Sequence, residues 1–107
     1  MGAPASLVRS LQRFRRGLKG TTRVERMILF GSRARGRTHR WSDVDLIVVS
    51  RDFRGKGAIE RAVPLHLAWD LELPVDFLCY APEEFRRLAR RVSLVRQALR
   101  EGAEIPP

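Results

Sequence analysis

The sequence predicts an α/β (α+β) fold, one small sheet covered by helices. Three observations support this. Three apolar runs of strand length occur, at Val24–Phe30, Asp43–Val49 and Val75–Tyr80. Longer stretches around residues 7–18, 58–71 and 82–99 repeat apolar residues at helical spacing. With 107 residues, 44% of them apolar, the chain can bury one modest core, as expected of a single domain.

The first helix is expected over about residues 7–18, capped by Ser6. Leu7, Val8, Leu11, Phe14 and Leu18 form its apolar stripe, with most arginines outside it on a solvated face or a basic partner surface. Met1–Ser6 also fits a myristoylation pattern, and residues 1–19 are arginine-rich and acid-free like a transit peptide. Both patterns are short, and a plain helix is the expectation. Gly20 stops it.

Val24–Phe30 reads as a buried strand ending at Gly31-Ser32. A short helix or turn is expected from Ser32 to about Arg37, then a loop through Gly36, Thr38 and His39. The Leu-Ile-Val-Val run of Asp43–Val49 is too continuous to be half exposed, so that strand belongs near the sheet centre. Ser50–Gly57 is a loop. Ala58–Leu71 is helical through Ile59, Ala62, Val63, Leu67 and Leu71, kinked or broken at Pro64. Pro82 opens a last helical segment with Glu83 and Glu84 in its first turn. Phe85, Leu88, Ala89, Val92, Val95 and Leu99 face inward, with a break near Ser93. Gly102 stops it, and Ile105-Pro106-Pro107 is a tail.

The charge is +9, from 21 Lys+Arg against 12 Asp+Glu. Only Lys19 and Lys56 are lysines, so arginine carries the positive charge. Its planar fork suits phosphate and carboxylate, and the balance favours a nucleotide, a nucleic acid or an acidic protein as partner. Cys79 is the one cysteine and reads as core packing. An intrachain disulfide is therefore excluded, and a reducing, cytoplasmic setting fits. No run approaches the roughly 18 apolar residues of a membrane span.

The chemistry concentrates in Gly31–Val49, GSRARGRTHRWSDVDLIVV. Side chains alternate along a strand, so Asp43 and Asp45 point the same way, with Cα atoms roughly 6.5–7 Å apart. Carboxylates at that spacing can hold one divalent cation or bridge two, the arrangement that serves phosphoryl transfer, and Mg²⁺ prefers such hard oxygen ligands. Asp76 is the third candidate, one charge in an otherwise apolar strand. Burying it unpaired would be costly, a neighbouring metal would compensate it, and it can take a proton from an attacking hydroxyl. At Gly31 the backbone can approach a phosphate closely. The Ser32 hydroxyl and the N–H groups after it can bind a triphosphate, with Arg33 and Arg35 as cationic contacts. His39, His66, Trp41 and Tyr80 read as loop or packing residues.

GSRARG followed by SDVDL resembles the minimal nucleotidyltransferases of the DNA polymerase beta superfamily, which place a Gly-Ser turn, a D-x-D on the next strand and a third Asp on a later strand. Gly31, Ser32, Asp43, Asp45 and Asp76 match residue by residue. The segment VDFLCYAPEEF also matches, with Ala81 where the family often has threonine. The resemblance implies a mixed sheet with flanking helices, Mg²⁺, and transfer of a nucleoside monophosphate, usually AMP from ATP. It also implies a HEPN-domain partner toxin, with this chain as its antitoxin. Two other classes compete: an antitoxin that neutralises its partner by contact alone, and a nucleic-acid-binding protein acting through its arginines.

Overall fold

The computed structural model describes residues 2–36 and 43–107. The elements run α1 (Ala5–Gly17), β1 (Arg26–Phe30), β2 (Val44–Val49), a 3-10 turn (Arg51–Phe53), α2 (Ala58–Ala68), β3 (Val75–Tyr80), α3 (Pro82–Ala89), α4 (Leu94–Glu101) and β4 (Ala103–Glu104). The sheet order is β3-β2-β1-β4. β1 lies antiparallel to β2 and to β4, whereas β2 and β3 are parallel, so α2 serves as the crossover between them. The sheet is mixed, and β2 lies inside it as its apolar run requires.

Strand alternation divides the core in two. Met27, Leu29, Val44, Leu46, Val48 and Phe77 point to one face, where Leu7, Leu11 and Phe14 of α1 and Leu65 of α2 cover them. Ile28, Ile47 and Val49 point to the other, under Phe85 of α3 and Val95 and Ala98 of α4. By the same parity Asp45 and Asp76 belong to the α3–α4 face.

α1 starts at Ala5 behind Pro4, with no side-chain cap, so Ser6 lies inside the helix instead of capping it. Arg15 is not a solvated residue: its guanidinium donates to Ile105 O at 2.7 Å and Val24 O at 3.2 Å, and burial lowers its pKa.

α2 passes through Pro64 as one helix and ends at Ala68, three residues short of the expected end. The apolar periodicity marked its outward face. Ile59 and Leu67 are 83% exposed and Val63 47%, whereas Leu65 is fully buried. The inward line is set by Leu65 and by Arg61, which donates to Cys79 O at 3.1 Å and grips Glu84 at 2.6 Å.

The last helical segment divides at Ser93, whose hydroxyl accepts the Arg96 N–H at 3.1 Å. Val92, in that break, is 94% exposed, and Leu99 is 38% exposed, so neither faces inward. At α3 the Glu84 carboxylate accepts the Ala81 N–H at 2.7 Å, but Ala81 has no oxygen to return the bond.

The expected tail is structural. Ala103–Glu104 pairs with β1, Glu104 accepts two bonds from Arg26, and Ile105 is fully buried. Gly102 permits this return. A Cβ there would lie 2.5 Å from Ala98 O and 2.6 Å from Leu29 O, both backbone atoms that cannot swing aside. Gly102→Ala is therefore expected to cost about 2 kcal/mol, a drop of about 10 °C in Tm by thermal denaturation. An unchanged Tm would refute this close packing.

Candidate active site

β1 delivers Phe30 opposite Asp45 of β2, and the chain turns at Gly31 with φ 78°. Left-handed backbone favours glycine, and space demands it as well: a Cβ on Gly31 would fall on Asp45 Oδ2. Beyond it the chain forms hydrogen-bonded turns, Arg35 N–H to Ser32 O at 3.2 Å and Gly36 N–H to Arg33 O at 3.4 Å. Among the described residues no helix starts at Ser32, so any phosphate contact here comes from turn N–H groups and the serine hydroxyl. Arg33 is half-buried in this turn and has interactions of its own. Arg35 lies 3.8 Å from Glu101, an exposed and therefore weak pair.

Gly31→Ala should disable the site. The residue would be held in strained backbone at about 1–2 kcal/mol while pushing the Asp45 carboxylate away. The expected result is a loss of roughly 10²-fold in transfer rate with circular dichroism unchanged. Wild-type turnover in this variant would show that the bend is not part of the machinery.

Asp45 and Asp76 are direct partners across the parallel β2–β3 pair, and Asp43 immediately precedes β2. The Asp45 carboxyl is pushed above the ordinary carboxylate range, first by burial, then by the negative charges of Asp76 and Asp43. Asp76 and Asp43 therefore lie near enough to Asp45 to act on its charge, and Gly31 packs directly against Asp45. Asp76 and Asp43 are exposed and Asp45 is partly buried. This corrects one expectation: Asp76 carries no burial cost, because its end of β3 is open, and the desolvated member is Asp45.

The fit to a divalent cation rests on the donor set. Asp76 and Asp43 repel Asp45 at the end of two adjacent strands, and among the described residues no Arg or Lys neutralises it. Among the described residues no group of three His, Cys, Asp or Glu side chains stands close enough together to hold a metal ion, so the fit is one of donor chemistry and not of a formed cluster. Hard oxygens on one open side leave positions for water and phosphate, as Mg²⁺ requires.

The remaining candidates do not join this group. The His66 ring packs edge-on against Phe77 at 4.8 Å, on the α1–α2 side. Burial raises the Cys79 thiol to about 11, that of an inert packing residue. The Tyr80 hydroxyl is also raised by burial. His39 and Trp41 lie outside the described residues. Sequence reasoning missed Leu94 and Gln97, which with Gly31 and Arg35 line a cleft of about 220 Å³ between the turn and α4. No motif marks them.

The Gly-Ser bend thus lies against two register-paired aspartates, on a small mixed sheet with helices on both faces. Residues 11–104 match the family model described as "Nucleotidyltransferase domain", and the chain belongs to that family and is a nucleotidyltransferase enzyme of the minimal type. Among curated proteins it is similar to the Haemophilus influenzae protein named "Probable protein adenylyltransferase MntA". The two are 34% identical over 79 residues, covering 72% of this chain and 69% of that one. The fold is shared with a Sulfolobus solfataricus crystal structure named as a nucleotidyltransferase, with a TM-score of 0.61 and 20% identity over 77% of this chain and 73% of that one.

Proposed function

We propose that this chain transfers AMP from ATP, with Mg²⁺, to a hydroxyl on a partner protein, and that it is the antitoxin of a HEPN-type toxin. The observation that carries the reading is the pairing of Asp45 with Asp76 against Gly31. The similarity to a protein named as an adenylyltransferase supports AMP and a protein acceptor.

Asp43, Asp45 and Asp76 would hold the metal, which would supply charge neutralisation at the phosphate oxygens. Gly31 lets the backbone approach the triphosphate, and Ser32, Arg33 and Arg35 bind it. Asp76, open to solvent at the start of β3, takes the acceptor proton. The acceptor oxygen bonds to the α-phosphorus as the bond to the α–β bridging oxygen breaks, and pyrophosphate leaves with that electron pair. Cys79 is free, and among the described residues no helix is long and apolar enough to cross a membrane.

The test is incubation with α-labelled ATP, Mg²⁺ and the product of the neighbouring gene. Label on that protein, pyrophosphate release and loss of both in EDTA are expected. Magnesium-independent labelling would overturn the metal role, and no ATP binding at all would overturn the transferase reading.

A further inference from the structure

Residues 85–100 contain Arg86, Arg87, Arg90, Arg91, Arg96 and Arg100 and no acidic residue. The acids at the ends of this segment are already engaged: Glu83 by Arg54 at 2.9 Å, Glu84 by Arg61 at 2.6 Å, and Glu101 by Gln97 at 2.9 Å and Arg35 at 3.8 Å. None of the six arginines makes an ion pair or side-chain hydrogen bond among the described residues, and all but the half-buried Arg96 are exposed. Val92, 94% exposed, and Leu94, 47% exposed, lie between them.

Two shallow clefts adjoin on α4. One, of about 300 Å³, is lined by Val92, Ser93, Arg96, Gln97, Arg100 and Glu101. The other is the 220 Å³ cleft at Gly31, and the two share Gln97 and Glu101. They make a trough from Arg96 and Arg100 to the bend, with the other four arginines before it in the same segment. By strand parity the carboxylates belong to this same sheet face.

We propose that this trough docks the acceptor as an acidic polypeptide segment, its carboxylates on the α3–α4 arginines and its hydroxyl delivered beside Gly31. The inference rests on the transferase reading of the site. Arginine forks match carboxylates, and arginine with exposed aliphatic residues is the composition of a protein interface. A single-stranded nucleic acid would call for aromatic stacking platforms, and the one aromatic of α3 and α4, Phe85, is buried.

The test is fluorescence anisotropy with a labelled peptide of glutamates around one tyrosine, a control peptide with lysines in their place, and a single-stranded RNA of equal charge. The full chain is compared with the charge-reversal variants R90E/R91E, at exposed positions that should leave the thermal melt unchanged, and R96E/R100E, whose folding is checked by circular dichroism. The acidic peptide should bind most tightly, weaken steeply with salt, and lose about tenfold in affinity in each variant. R9E/R13E, on the opposite sheet face, should bind as wild type. Equal affinity in the α3–α4 variants would overturn the proposal. RNA binding that is tighter and lost in the same variants would overturn it as well, assigning the surface to nucleic acid. Mg²⁺-dependent ATP binding, measured separately, tests the transferase reading: D45N should lose it while binding the peptide at least as tightly. Failure of one measurement is thus distinguishable from failure of the other.

Discussion

Asp45→Asn is expected to abolish nucleotidyl transfer while raising the melting temperature of the metal-free protein by a few degrees. Burial, followed by the charges of Asp76 and Asp43, holds the Asp45 carboxyl above its ordinary value. A group whose folded pKa exceeds its unfolded value binds its proton more tightly in the native state. Folding is therefore favoured at low pH, and that stability is lost as pH rises from the unfolded pKa through the folded one. At neutral pH the ionised carboxylate works against the fold. Asparagine keeps the size and removes the charge, so both the penalty and its pH dependence disappear.

Activity moves the other way. With one of the three carboxylates proposed to hold the metal gone, the rate should fall by about 10²–10³-fold or more. MgCl₂ should raise the melting temperature of the wild type and not that of the variant, because only a ligand that binds the native state stabilises it. Melting curves with and without magnesium from mildly acidic to mildly basic pH, together with labelled-AMP transfer, measure all three effects. A variant that transfers AMP at the wild-type rate would remove Asp45 from the mechanism. One that melts lower without metal would remove the like-charge account.

Arg61→Ala is expected to destabilise the chain by about 3 kcal/mol. The Arg61 side chain is only 11% exposed and that of Glu84 31%. The guanidinium donates to both Glu84 oxygens, at 2.6 and 3.1 Å, to Cys79 O at 3.1 Å and to Lys56 O at 2.8 Å. It thus ties α2, β3 and α3 together, and truncation strands a partly buried carboxylate. The Arg61 hydrogen bond is the first cause of a lowered Glu84 pKa. That contribution is present above the unfolded pKa and is lost as pH falls through the folded one, so the deficit of the variant should shrink in acid. The surface pair Arg23–Asp52, with Arg23 71% exposed, is the contrast, where Arg23→Ala should cost about 0.5 kcal/mol. Urea denaturation of both variants decides. Equal losses would mean that Arg61 is an ordinary surface residue. Because Arg61 holds β3, which carries Asp76, its loss should also slow transfer.

The proposed site was readable in the chain because its parts are local. A Gly-Ser pair closing an apolar run, aspartates two apart before the next run, and a lone charge in the third all announce themselves by residue type and spacing. The strand β3, the proline opening of α3 and the break at Ser93 are local in the same sense, and they stand where residue patterns put them. The remainder depended on contacts between distant segments. Periodicity in α2 showed that the helix is two-faced and pointed to the wrong face, because Arg61 and Leu65 are drawn inward by β3 and α3, which come later in the chain. Ile105 looked like the end of a tail until β1 offered an edge for Ala103–Glu104. Even the meeting of Asp45 with Asp76 follows from register alone: side chains alternate with period two, and a slip of one residue between β2 and β3 would leave the same aspartates on opposite faces of the sheet.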